Sequence, residues 1–244
     1  MKMVFWPILV ILVFLFCYSG TSFAVDFNVK SYGYFKKMVH RKKTEGVVDL
    51  QTAIPPVNGY AVGAIQKGLG EITVINSEVW LDYGNDGIGH SVNSAPADEQ
   101  AVLLVTSQVE KWQEILLQDQ LSKERLFKFI LEQAEKHGLD TNAPFPFVLE
   151  GSFDNLSLHV INGQNPKFGG HGKVGHLFKQ IKEERNKQKA IVIGFYSAST
   201  QGVYTHPGES WHLHAVIQDE NIGAHVDDIS IINGSILKLP AVTK

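Results

Sequence analysis

The sequence predicts an α+β protein of two β-rich subdomains, with mixed or antiparallel sheets and helices in the middle of the chain. Three observations carry this. Short runs of alternating or continuously apolar residues, bounded by Gly, Asn, Asp and Pro, recur along most of the 244 residues and read as strands. One longer stretch, Glu110 to His137, instead repeats Leu116, Leu117, Leu121, Leu126, Phe127, Ile130, Leu131 and Ala134 at helical spacing. Strand and helix patterns do not alternate regularly, so a parallel sheet built from β-α-β units is not expected.

The first segment reads as an export signal. Lys2 supplies a positive charge, Val4 to Tyr18 is apolar, and Ser22-Phe23-Ala24 places small residues at the first and third positions of a cleavage site. The apolar run is short for a spanning helix. Residues 1–24 are therefore expected to be removed, leaving a secreted or periplasmic protein that starts at Val25 and has no membrane anchor. Cys17 is the only cysteine. It departs with the signal, so the mature chain is expected to lack a disulfide, and any metal must be held by His, Asp or Glu.

Val25 to Asn58 reads as a strand, a helix or loop, and a turn at Ile54-Pro55-Pro56. Tyr60 to Tyr83 is strand-like, with Asn76-Ser77 as a hairpin turn. Ala101 to Thr106 reads as a strand buried on both faces. Within the helical stretch, Ser122 is a candidate cap for a second helix and Gly138 a C-terminal stop. Asn142-Ala143-Pro144-Phe145-Pro146 breaks the pattern and divides the mature chain into subdomains 25–143 and 144–244. Beyond it, Phe147 to Ile161 reads as a hairpin around Asp154-Asn155, Asn162 to Gly175 as a Gly-rich loop, and Val174 to Lys187 as a helix. Ala190 to Tyr196 reads as a buried strand, and Ile229 to Leu239 as a closing hairpin at Asn233-Gly234.

Charge excludes one class of partner. With a net charge of -3 and 19% charged residues there is no basic excess, so nucleic acid is not an expected partner. Lys179 to Lys189 is locally basic but contains Glu183 and Glu184, as a solvated face does.

Chemistry concentrates near the C-terminal end. In Trp211-His212-Leu213-His214 the two histidines of an extended strand point the same way. The polar turn Gln218-Asp219-Glu220-Asn221 lets the chain return and bring Gly223-Ala224-His225-Val226-Asp227 beside them. Three neutral imidazoles with a fourth position open are the ligand set of a catalytic zinc. A proton donor or acceptor is still needed. Glu71, which follows Gly68-Leu69-Gly70 at the start of a strand, is the candidate, although on the residues alone a surface carboxylate in a hairpin accounts for it better.

These residues resemble the zinc-binding motif of the alpha-acetolactate decarboxylases, in which a His-Leu-His strand, a polar spacer and a Gly-Gly-His-Val strand follow one another. Ile191 to Ser197, Gly63 to Ile75 and Phe147 to Phe153 are similar to three further segments of that family, in the same order. The resemblance implies decarboxylation of 2-acetolactate to acetoin, with zinc held by His212, His214 and His225 and with Glu71 near substrate and metal. It implies a small hydroxy-keto acid as the partner and leaves room for a homodimer. Departures are local. His159 stands where the family has an arginine, which grips a carboxylate in two places as a histidine cannot. Lys167, Lys173 and His171 are candidate substitutes. Ala64 replaces a threonine, Leu69 replaces an aspartate, and no acidic residue follows Asp228 where the family has a C-terminal glutamate. A related lyase or isomerase acting on another hydroxy-keto acid, and a non-catalytic metal- or ligand-binding protein, remain as alternatives.

Overall fold

A computed structural model describes residues 24–25, 27–167, 177–206 and 208–243. Residues 1–23 of the expected export signal, and the candidate residues His171 and Lys173, lie outside them. The N-terminal part comprises β1 (Ala24–Val25), β2 (Phe27–Tyr32), α1 (Phe35–Arg41), β3 (Val48–Asp49), α2 (Leu50–Ala53), β4 (Gly59–Ile65), β5 (Glu71–Ile75), β6 (Glu78–Asp82) and β7 (Gln100–Val109). There follow β8 (Trp112–Leu116), α3 (Lys123–Lys136), β9 (Phe145–Gln164), β10 (Phe178–Tyr196), β11 (Trp211–Ile217), β12 (Ile222–Ile231), β13 (Ile236–Pro240) and β14 (Val242–Thr243). Among the described residues no helix is long and apolar enough to cross a membrane.

The fold is α+β, as expected, and the sheets are antiparallel. One has the order β2-β7-β4-β5-β6, with β3 added on β7. The other has the order β10-β11-β12-β9-β13-β8, and β10 also pairs with β9, so that part of the sheet closes on itself. The chain passes from the first sheet to the second between β7 and β8. Asn76 and Ser77 both take left-handed backbone angles (φ 51° and 67°), which gives the tight turn whose twist matches the strands β5 and β6 that it joins.

The two sheets share a core. Val62, Ala64, Val102 and Val105 of the first pack in one cluster with Ile193, Phe195 and Val216 of the second. Contact is close at Gly223 of β12, where a Cβ would come within 2.6 Å of the Trp80 Cβ on β6. A second cluster places Leu126, Ile130 and Ala134, one face of α3, against Phe153, Leu156 and Ile229 of the closed sheet.

Several local expectations are corrected. Only the second half of Glu110 to His137 is helical. Its first half forms β8, with Ile115 opposite Leu237 and Trp112 opposite Pro240. The leucine run that suggested a helix is split there, Leu116 being 55% exposed and Leu117 buried. Helix α3 does begin after Ser122, but the Ser122 hydroxyl donates to the Glu124 carboxylate (3.0 Å) and leaves the backbone uncapped. Gly138, at φ +85°, follows the last turn. Asp154-Asn155 is not a turn: β9 runs straight through it, because Asn155 is paired with Asn186 of β10 on one side and with Ser230 of β12 on the other. From Phe178 onward the described part of Val174 to Lys187 is strand, paired with β9. The described part of the expected 162–175 loop likewise begins as strand, since β9 extends to Gln164. Asn233-Gly234 makes no hairpin. It carries the chain from β12 to β13 along the same edge of β9, where Ile231 faces Phe153 and Ile236 faces Glu150.

Candidate metal centre

Three adjacent strands of the closed sheet set out the centre. His214 of β11 lies directly opposite His225 of β12, and His225 lies directly opposite His159 of β9. Side chains opposite one another on adjacent strands are neighbours. His212 joins the row because it shares a strand face with His214. The return turn is a short 3-10 segment, Gln218–Glu220, completed by Asn221 in the left-handed region (φ 53°). The His212, His214 and His225 rings form a near-equilateral triangle, with centroids 5.1, 5.1 and 5.2 Å apart. One nitrogen from each lies within 4.8 Å of the others.

The donor set fits a divalent metal. His214 is fully buried and His212 nearly so. Burial, reinforced by neighbouring imidazoles, holds His214 and His225 well below the usual histidine range and His212 at about 3, so all three rings are neutral and their lone pairs available. The Nε2 atoms of His212 and His214 approach to 3.2 Å. Two metal–nitrogen bonds of about 2.0–2.1 Å at a tetrahedral angle require a spacing of about 3.3 Å. Lone pairs held this close repel unless a proton or a cation lies between them. Thr73 Oγ1 stands 2.9 Å from His214 Nδ1. With the hydroxyl accepting from Nδ1–H, the tautomer is the one that turns a bare Nε2 toward the other two rings.

Glu71 comes from the other sheet. Gly70 before it tolerates no side chain, since a Cβ would lie 2.3 Å from the Asp82 carbonyl oxygen, and this close approach starts β5 at Glu71. The Glu71 carboxylate is 3% exposed. Its Oε1 accepts from the Ile161 amide (3.3 Å) and lies 3.8 Å from His159 Nε2, while Oε2 lies 3.6 Å from His214 Nε2. Burial pushes its carboxyl up to about 7, against the opposing pull of His159 and the Ile161 amide. The surface-carboxylate alternative does not describe this residue.

His159 is buried beside His225, ring to ring at 4.5 Å. Its Nδ1–H donates to Asp227 Oδ1 (2.9 Å), and its Nε2 faces Glu71 and the Gln180 amide (3.4 Å). The register of β12 against β9 slips between Val226 and Asp228, so Asp227 occupies a bulge. Burial raises the Asp227 carboxyl, but the hydrogen bonds from His159 and Lys182 outweigh it and hold it at about 2. His159, His225 and Asp227 form a second cluster with metal-ligand chemistry, sharing His225 with the first.

All five sequence-predicted residues, Glu71, His159, His212, His214 and His225, thus come together. Asp227, Thr73 and Gln180 were not singled out. The first two carried a signal, since each lies two residues beyond a predicted site residue on a strand and so shares its face. Gln180 carried none, because its segment reads as a helix. Lys167 is exposed and does not line the cavity. Beside the triad is a cavity of about 320 Å³ whose walls include Glu71, His159, Gln180, His212 and His225, and, from α1, Phe35, Met38 and Val39.

Thr73→Val removes the partner of His214 Nδ1 while keeping the side-chain shape. Zinc affinity should fall about 10- to 100-fold in a chelator competition. An unchanged affinity would show that Thr73 does not orient the ring.

The family profile described as alpha-acetolactate decarboxylase matches residues 59–241. No curated protein sequence matches the chain significantly. Among solved structures, an alpha-acetolactate decarboxylase from Bacillus subtilis strain 168 superposes with a TM-score of 0.65 at 16% identity, covering 87% of this chain and 85% of that one. An acetolactate decarboxylase from Bacillus subtilis subspecies spizizenii gives 0.64 at 15% identity, covering 89% and 86%. A Staphylococcus aureus protein described as of unknown function and similar to alpha-acetolactate decarboxylase gives 0.63 at 15% identity, covering 86% and 84%. At these identities the structural likeness is one of fold.

Proposed function

Because this chain belongs to the alpha-acetolactate decarboxylase family, we propose that it is a carboxy-lyase that converts 2-acetolactate to acetoin and CO2, with zinc held by His212, His214 and His225. The observation that carries this reading is the convergence of three neutral imidazoles, two of them buried and His225 half-buried, beside a buried carboxylate on the wall of a cavity. Bound there, zinc would supply Lewis-acid stabilisation of negative charge on substrate oxygen.

The protein's own groups account for the rest. Loss of CO2 leaves the bonding pair on the carbon that carried the carboxylate, and that carbon must take up one proton. Glu71 is placed to deliver it: its carboxylate stands beside His159 and His214, and burial pushes its carboxyl above the usual carboxylate range. His159 turns Nε2 toward the same space, because Asp227 occupies its Nδ1, and with both ring nitrogens protonated it would donate a single charge-assisted hydrogen bond to the substrate carboxylate.

The test is direct. Zinc-loaded protein incubated with racemic 2-acetolactate should release CO2 and acetoin in equal amounts. Neither product from fully loaded protein would overturn the reading. A lyase or isomerase acting on a different hydroxy-keto acid is the second reading, favoured by the histidine in the expected arginine position.

His159→Ala should raise the KM for acetolactate about tenfold or more with a smaller change in kcat, since it removes a ground-state contact. His159→Arg should return KM toward or below the wild-type value. If KM is unchanged in both variants, the carboxylate is held by another group.

A further inference from the structure

The cavity is larger and more apolar than acetolactate requires. We infer that it takes 2-hydroxy-3-keto acids carrying an alkyl substituent of three carbons or more beside the reacting centre, and that α1 is the wall that selects for this group. This inference rests on the function proposed above.

Size and polarity both point this way. A cavity of about 320 Å³ falls within the range of about 300–1,000 Å³ that accommodates drug-sized ligands, whereas acetolactate is a five-carbon acid. Glu71, His159, His212 and His225 lie together on the cavity wall, with Gln180 beside His159. Elsewhere the lining includes Phe35, Met38 and Val39 of α1 together with Leu103, Leu177 and Phe178, while α1 also contributes the exposed side chains Lys36 and His40. A five-carbon acid held beside the histidines leaves Phe35, Met38, Val39, Leu103 and Phe178 to water that would find few hydrogen-bond partners among them. An alkyl chain covers them and displaces that water.

α1 is seated as a wall. The Phe35 amide donates to the Val203 carbonyl (2.7 Å) and the Lys36 amide to the Gly202 carbonyl (3.2 Å). The Phe35 ring lies 4.3 Å from that of His206. Met38 is buried, and Phe35 and Val39 are half-buried with their faces to the cavity. Gly202 suits this docking: its φ of +77° is one that L side chains rarely adopt, and its lack of a Cβ leaves room for the Lys36 side chain. Residues 35–41 precede the stretch matched by the family profile, so this wall lies outside the part of the chain that assigns the family.

The experiment separates binding from turnover. Zinc-loaded protein is titrated calorimetrically with two reduced, non-decarboxylating acids, 2,3-dihydroxy-2-methylbutanoate and its 2-butyl homologue. The butyl acid should bind about tenfold more tightly or better, given the methylenes it buries. In parallel, kcat/KM is compared for 2-acetolactate, its 2-butyl homologue and the acyl-extended 2-hydroxy-2-methyl-3-oxohexanoate. At least one of the longer acids should exceed acetolactate. Val39→Phe, which fills the cavity, should lower the butyl-to-methyl affinity ratio about tenfold, and Met38→Phe provides a second filling variant should the first fold poorly. A methyl acid that binds as well as the butyl acid, with acetolactate the best substrate, overturns the inference and leaves the proposed decarboxylase standing. No CO2 from any of the acids overturns both.

Discussion

His214→Ala is expected to purify without bound metal and without decarboxylase activity. His214 is fully buried at the centre of the row, directly opposite His225 and 3.2 Å from His212 through Nε2. A four-ligand zinc site is worth about 10–16 kcal/mol, so one imidazole accounts for about 3–4 kcal/mol, or roughly 100- to 1,000-fold in affinity. His212→Ala and His225→Ala should lose metal to a similar degree, whereas the wild-type protein should carry about one zinc per chain. Metal content is read by mass spectrometry after dialysis against a weak chelator, with circular dichroism confirming that each variant is folded. The overlapping cluster of His159, His225 and Asp227 supplies the control. His159→Ala and Asp227→Ala should keep their zinc. Full occupancy in the His212 and His214 variants, combined with loss in the His159 and Asp227 variants, would move the metal to that second cluster.

Glu71→Gln is expected to keep the metal and lose turnover, with kcat lower by about 100- to 10,000-fold, the range for removal of a general acid. The substitution is nearly isosteric. The remaining amide oxygen still accepts from the Ile161 backbone N–H, which holds the wild-type carboxylate at 3.3 Å. What disappears is the exchangeable proton. Steady-state kinetics beside metal analysis read the two properties separately, and a wild-type kcat in zinc-loaded Glu71→Gln would remove Glu71 from the proton transfer. Glu71→Ala should be worse in stability as well, since it empties a buried position and leaves the Ile161 amide without its acceptor.

The metal triad was legible because it depends on local rules. A strand alternates with period two, so His212 and His214 share a face wherever the strand is placed. A polar turn of four residues returns the chain and brings His225 opposite them. The Asn76-Ser77 hairpin was legible for the same reason, its geometry being set by its own residues. The errors lie where partners are remote. Trp112 to Leu116 presents apolar residues that satisfy a helical period, and only pairing with β13, near the other end of the chain, makes it a strand. Asp154-Asn155 has the composition of a turn, yet β10 and β12 on its two sides keep the backbone extended.

From sequence alone came the α+β class, the three imidazoles on one face of a hairpin, and the resemblance that the family match confirmed. Tertiary structure decided what surrounds those imidazoles. Packing of the first sheet on the closed one sets Glu71 3.6 Å from His214 and buries it, and the burial raises its carboxyl and turns an ambiguous strand residue into a candidate acid. A bulge in β12 and the pairing of β12 with β9 join Asp227 to His159 across 68 residues. The docking of α1 on the loop before β11 builds the apolar wall. Backbone periodicity is a property of neighbours in the chain, whereas desolvation, charge proximity and cavity shape arise only once distant segments are pressed together and water is excluded between them.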